Sequence, residues 1–238
     1  MDRRLVKYDG MKKFFSFFMC LFVTVGMNAC TPENTGNDAP AETTGRTDTP
    51  DKPDIPQPEP TPTPEPESGK TLIVYYSYTN NVHTLVADLS GQIETDVIRV
   101  EPAEKGLDYA ANNYAIGSSQ IQAIRNNPEN AASYPAIDPV DVDFSQYGTV
   151  IVATPLWWSN MAAPMQTFLF NHGKEMAGKR IGLTVSSASS GISGVEADAK
   201  RLVPGGDFLS PSLWIRSSQT SGCHPLISAW LSEIGYGI

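Results

Sequence analysis

Residues 149–169 read TVIVATPLWWSNMAAPMQTFL. The first seven, Thr149–Pro155, are mostly β-branched and carry no charge. A strand covered on both faces reads as such a continuous apolar run rather than as an alternation. Ala162–Asn171 then has helical character, with Pro164 in the first turn, where a missing N–H costs nothing. A doubly buried strand leading through a short loop into a helix is the unit of a parallel α/β sheet.

The same alternation extends both ways along the chain. Thr71–Ser77 (TLIVYYS) is a second doubly buried run. Val82–Gln92 places Val82, Leu85, Val86 and Leu89 at helical spacing. Thr95–Val100 reads as a more exposed strand, Leu107–Arg125 as a helix and Asn126–Gln146 as a polar connection broken by prolines. After the central unit, Arg180–Ser186 is a fourth strand, Gly194–Leu202 a helix, Phe208–Ile215 a fifth strand and Pro225–Ile234 a closing helix. No internal repeat is visible. The expectation is an α/β fold, a doubly wound five-stranded parallel sheet with helices on both faces, over residues 71–238. Such folds bind ligands beyond the C-terminal ends of their strands, where the strand order reverses.

Composition separates this domain from what precedes it. Of 238 residues, 31–70 hold 10 of the 19 prolines and only three apolar residues, too little to offset the entropy of ordering. Residues 1–30 carry a net +3, 31–70 a net −6 and 71–238 a net −6, making the −9 of the whole. An acidic domain without a Lys/Arg cluster is a poor nucleic-acid binder, because phosphate neutralisation supplies most of that affinity. Cys223 is the one cysteine after residue 30, so neither an internal disulfide nor a zinc cluster is available to the domain.

Five basic residues precede the apolar run Phe14–Met27, which is too short to span a bilayer and fits a secretory signal peptide. Met11-Lys12-Lys13 offers a second start with a complete basic region. Met27-Asn28-Ala29-Cys30, after which the apolar character stops, resembles a bacterial lipobox. The expectation is a signal peptide over 1–29, lipid on Cys30 and a Pro/Thr/Glu-rich stalk over 30–70. The domain would then stand in the bacterial cell envelope, facing the periplasm or the cell surface. An ordinary signal peptide or an uncleaved anchor is the alternative. Two or more acyl chains anchor a protein stably, at about 0.8 kcal/mol per buried methylene. At ~3.1 Å per residue, a polyproline-like stalk reaches up to roughly 120 Å.

Three loops meet at the expected switch point. Ser77-Tyr78-Thr79-Asn80-Asn81-Val82 offers hydroxyls, two asparagines able to take positive φ, and a helix start, the makings of an anion site. It has neither a phosphate-loop lysine nor a GxGxxG fingerprint. Pro155-Leu156-Trp157-Trp158-Ser159 places two indoles that cannot both enter one core, leaving at least one as a stacking surface. Ser186-Ser187-Ala188-Ser189-Ser190-Gly191 is small and polar, open to close backbone approach. A plain helix-capping turn, a core or interface role for the indoles and an ordinary loop are the bland alternatives.

Together the loops resemble the flavodoxin family. YYSYTNNVHTLVADL (75–89) is similar to its phosphate loop SxTGNTxxxA, TPLWWSNMAAPMQTFL (154–169) to PxWWGxxAPxxxxFL, SSASSGIS (186–193) to TSGGSG, and AWLSEIG (229–235) to its last helix. The resemblance spans essentially all of 71–238 and implies strand order 2-1-3-4-5 with flavin mononucleotide (FMN) as cofactor. It implies that Ser77, Thr79 and Asn81, with Tyr78 and the backbone at Asn80 and Val82, hold the FMN phosphate. Trp157 and Trp158 would flank the ring system, the backbone of Pro155–Ser159 would meet its edge, and Ser186–Gly191 would line the other side. No side chain is implied as a general acid or base, and no metal.

The chain departs from the family pattern at several positions. Asn80 and Ser159 replace glycines, and Ala188 and Ser189 stand where the family has two more. Val82 replaces a threonine, and losing one hydrogen bond to a charged group costs about 1.5–3 kcal/mol, roughly tenfold to a hundredfold in affinity. The function implied is a membrane-tethered redox protein passing electrons to a partner protein or to a small acceptor such as a quinone. The competing expectation is a non-catalytic surface lipoprotein that keeps the fold and binds another ligand or none. Of the remaining residues, Cys223-His224 reads as loop or helix start rather than a reactive pair, His83 as a solvated helix position, and Tyr109 and Arg125 as part of a connection able to face a substrate.

Overall fold

The structure, a computed structural model, describes residues 69–237; the leader, Cys30 and the stalk to residue 68 lie outside the described residues. The β-branched runs build a parallel sheet. β1 (Lys70–Tyr75) lies between β2 (Asp96–Arg99) and β3 (Tyr147–Trp157). β4 (Asn160–Met161) folds back antiparallel on the end of β3. β5 (Arg180–Ser187) pairs with the free edge of β3. The register sets Tyr75 beside Ala153 and Ala153 beside Thr184, so the central strands finish along one rim.

The fifth strand position differs from the expected single run 208–215. It is two short pieces, β6 (Asp207–Phe208) beside Arg180–Ile181 and β7 (Leu213–Arg216) beside Thr184–Ser187. Pro211 lies in the gap and has no N–H to give β5. Its carbonyl instead accepts from Trp230 Nε1 at 2.8 Å. The parallel order is β2-β1-β3-β5 and then β6 with β7, which is the expected 2-1-3-4-5 once β4 is left aside and the broken strand is counted as one.

Alternate residues of each strand feed two cores. Leu72, Val74, Val150, Val152, Leu183 and Val185 face α2 (Ala111–Asn126), α3 (Ala163–His172) and α4 (Ser193–Leu202). Ile73, Tyr75, Ile151 and Ala153 face α1 (Asn81–Gln92) and α5 (His224–Glu233). A fully buried Leu or Ile contributes about 1.5–3 kcal/mol, so these two layers carry most of the stability. Helices on both faces make the sheet doubly wound.

The segment 107–125 departs from a plain helix. Asn112, Asn113 and Tyr114 have φ of 49°, 55° and 62°, and regular helical backbone follows only after them. Two asparagines supply the residue type that tolerates left-handed backbone. The connection after α2 carries two short 3₁₀ turns, Ala131–Ser133 and Phe144–Gln146.

Candidate functional site

β1 ends at Tyr75, and Tyr76 N makes a last sheet bond to Ala153 O at 3.1 Å. Asn80 then takes φ 63°, which turns the chain into α1. The helical ladder begins with Thr84 N donating to Asn80 O at 2.9 Å, and His83 N donates to Ser77 Oγ at 3.2 Å. The amides of residues 78–82 therefore find no acceptor among the described residues. Unpaired amides at a helix start, backed by the helix dipole and by the Ser77 and Thr79 hydroxyls, form an uncharged nest for an anion. Arg99 Nη2 steadies the loop by donating to Ser77 O at 3.3 Å. The His83 ring bonds the Tyr75 hydroxyl at 2.7 Å.

The second loop is tighter than a strand-to-helix connection. β3 overruns the sheet, and Leu156 and Trp157 pair with Met161 and Asn160, leaving a two-residue turn. Both turn residues are left-handed, Trp158 with φ 47° and Ser159 with φ 66°, as a primed hairpin turn requires. Each costs roughly 1–2 kcal/mol without glycine, so neighbouring segments have to hold the turn. Arg125 donates from Nη2 to Trp158 O and from Nε to Asn160 Oδ1 at 2.8 Å. Asp198 Oδ2 accepts from Asn160 Nδ2 at 2.8 Å and from Met161 N at 3.0 Å. Gly194 admits the turn, since a Cβ there would lie 1.9 Å from Ser159 O.

The indoles diverge. Trp157 is half-buried, edge-on to Tyr76 at 5.6 Å and 4.9 Å from the Tyr109 ring. Trp158 is 41% exposed and rests against Gly117 of α2, where a Cβ would come within 3.0 Å of its ring. Burial pushes the phenols of Tyr76 and Tyr109 above the usual tyrosine range, so this wall is neutral. In the third loop, Ser186 and Ser187 still belong to β5 and are buried. Ser187 Oγ accepts from Trp214 Nε1 at 2.8 Å and donates to Ser190 O at 2.9 Å, anchoring the exposed bend 188–191.

These loops enclose a cavity of about 430 Å³, within the range of small-ligand sites. Of the expected residues, Ser77, Tyr78, Thr79, Asn81 and Val82 line one part and Pro155, Leu156, Trp157 and Trp158 another. Ser186, Ser187 and Ala188 complete this set. Asn80, Ser159, Ser189, Ser190 and Gly191 do not line it: they sit at the helix cap, the turn tip and the outer bend, all exposed. Tyr109, Tyr114, Gly117 and Ser217 also line it. A lone glycine in a helical pattern and an Asn-Asn pair were the available signals for the α2 wall. Nothing in the sequence marks Ser217. No lining side chain is acidic, basic or imidazole.

Cys223 and His224 do not form a reactive pair. The buried Cys223 thiol is pushed up by burial, with Asp88 adding to the shift. The His224 ring lies 3.0 Å from Asp88 Oδ2.

A flavodoxin family model matches residues 70–232. No curated protein matches the chain. A structure described as a flavoprotein from Bacteroides eggerthii DSM 20697 is 21% identical, with a TM-score of 0.56 over 70% of this chain and 98% of its own. A second, from Bacteroides uniformis ATCC 8492, is 20% identical, with a TM-score of 0.55 over 70% of this chain and 99% of its own. A flavoprotein in complex with FMN from Lactobacillus acidophilus NCFM is 19% identical, with a TM-score of 0.52 over 65% of this chain and 98% of its own. These structures share the fold. With more than half of its length matched, the chain belongs to the flavodoxin family.

Proposed function

We propose that this protein binds FMN in the cavity and acts as a redox protein held at the bacterial envelope by lipid on Cys30. It passes electrons to a partner protein or to a small acceptor such as a quinone. The observation that carries the reading is one cavity with an uncharged donor nest in one part and two indoles in another. Family membership supports the same cofactor.

The residues present fit the cofactor. The amides of 78–82 and the hydroxyls of Ser77 and Thr79 would hold the phosphate, its charge balanced by the dipole of α1 rather than by a lysine. Trp157 and Trp158 would bound the ring system, with backbone from Pro155 to Trp158 at its edge and Ser186–Ala188 opposite. Val82 offers no hydroxyl and is 1% exposed, so it serves the α1 core. FMN supplies reversible electron transfer, which none of the side chains here provides. A net charge of −6 over residues 71–238 and a cavity lined by no cationic side chain disfavour added negative charge there.

Purification of the full chain tests the reading. A yellow preparation, or quenching of added FMN fluorescence at one site with micromolar or tighter affinity, is expected. A colourless chain that leaves the fluorescence unchanged would point to a lipoprotein that keeps the fold without the cofactor. Labelled fatty acid should enter the chain in cells and be lost in Cys30→Ala; label retained in that variant would refute the lipid anchor.

A further inference from the structure

Trp158 and Ser159 both stand in left-handed backbone, yet neither is glycine or asparagine. Local preference alone does not hold this turn, and the turn sets where the two indoles lie. Arg125 spans it with one guanidinium, bonding the carbonyl of the first turn residue and the side chain of the residue just after the turn. Two turns back along the same helix, Gly117 leaves room for the Trp158 ring. Asn160 carries the tie onward to Asp198, which Arg201 Nη2 bonds at 3.3 Å. Helices α2 and α4 thus grip the hairpin from two sides.

We infer that Arg125 is a positioning residue: with Gly117 it fixes the Trp158–Ser159 turn, so that the aromatic wall of the cavity has its binding shape before FMN arrives. The inference rests on the FMN reading above. Arg125 is exposed and does not line the cavity. It therefore acts through the backbone it holds rather than by direct contact with the phosphate. A planar fork that satisfies two acceptors at once suits this task, and a lysine does not reproduce it. Binding to a preset wall avoids the ordering cost that a loose hairpin would add.

The test uses the full chain with Arg125→Ala, Arg125→Lys and Gly117→Ala. Arg125→Ala is expected to weaken FMN binding about tenfold by fluorescence quenching, with the unfolding midpoint within about 2 °C of wild type. In the FMN-free chain, amide hydrogen exchange over residues 156–162 should quicken about tenfold while β1 and α1 stay unchanged. Arg125→Lys should bind FMN as weakly as Arg125→Ala, since it keeps the charge and loses the fork. Gly117→Ala should lower affinity even though alanine favours the helix. Wild-type affinity in Arg125→Ala overturns the inference, whether or not exchange changes. If wild type takes up no FMN, the cofactor reading fails, and exchange over 156–162 decides the clasp alone: faster in Arg125→Ala upholds it, unchanged refutes it.

Discussion

The amide nest and the aromatic wall of the cavity are built by different means. The nest is six consecutive residues, 77–82, and its donors are mostly backbone amides that any sequence with the right turn would present. The wall is assembled from β3, α2 and the α4 N-terminus, tied through Arg125, Gly117, Asp198 and Gly194. A local device tolerates substitution as long as its backbone can turn. A convergent device fails when any one contributor moves. This difference explains why the family pattern can soften at Asn80 without losing the loop: asparagine accepts the φ of 63° found there.

The largest effect expected from breaking this contrast lies on the wall. Gly194→Ala puts a methyl against Ser159 O and C, backbone atoms that cannot step aside. It should cost about 2–3 kcal/mol in urea unfolding and weaken FMN binding sharply. A change below half a kcal/mol would show that the hairpin is loose enough to move away from residue 194. Next comes alkaline pH. The phenols of Tyr76 and Tyr109, the two rings against Trp157, are raised by burial in the folded state. Unfolded tyrosines therefore release protons first. Stability should be fully present below about pH 10 and decline above it, by up to about 1.4 kcal/mol per pH unit for each tyrosine. Urea titrations of Tyr76→Phe and Tyr109→Phe across that range should show a shallower decline; an unchanged slope would contradict the burial argument.

The smallest effect sharpens the comparison directly. Ser159→Gly removes the steric cost of a φ of 66° and should stabilise the fold by about 1 kcal/mol. Asn80→Gly, at the same kind of backbone but with a residue already suited to it, should change stability by only a few tenths of a kcal/mol. Equal effects at both positions would mean that the two turns are held in the same way.

This contrast also marks what could be read from the sequence. The strand and helix alternation, the three loops at the switch point and the nest were legible because each depends on neighbours in the chain. An indole at the rim followed from two indoles being unable to share one core; that it is Trp158 came from the structure. The β3–β4 hairpin was not legible, since Trp158-Ser159 lacks the glycine or asparagine that usually marks a primed turn. Tyr114 and Gly117 were hidden in a segment read as an ordinary helix, where Asn112–Tyr114 break the regular backbone, whereas Tyr109, read as part of a connection able to face a substrate, does line the cavity. Pro211 did carry a visible warning against an unbroken fifth strand, and its missing N–H is the physical reason for the gap between β6 and β7.

Donors without charge and two indoles together define the proposed flavin site. Titrating FMN into the purified chain while following both flavin and tryptophan emission addresses it most directly. Saturation at one FMN per chain with both signals quenched together is expected, with a smaller tryptophan response in Trp157→Phe combined with Trp158→Phe, where Trp214 and Trp230 remain. Flavin emission that never falls, or falls with no change in tryptophan emission, would contradict it.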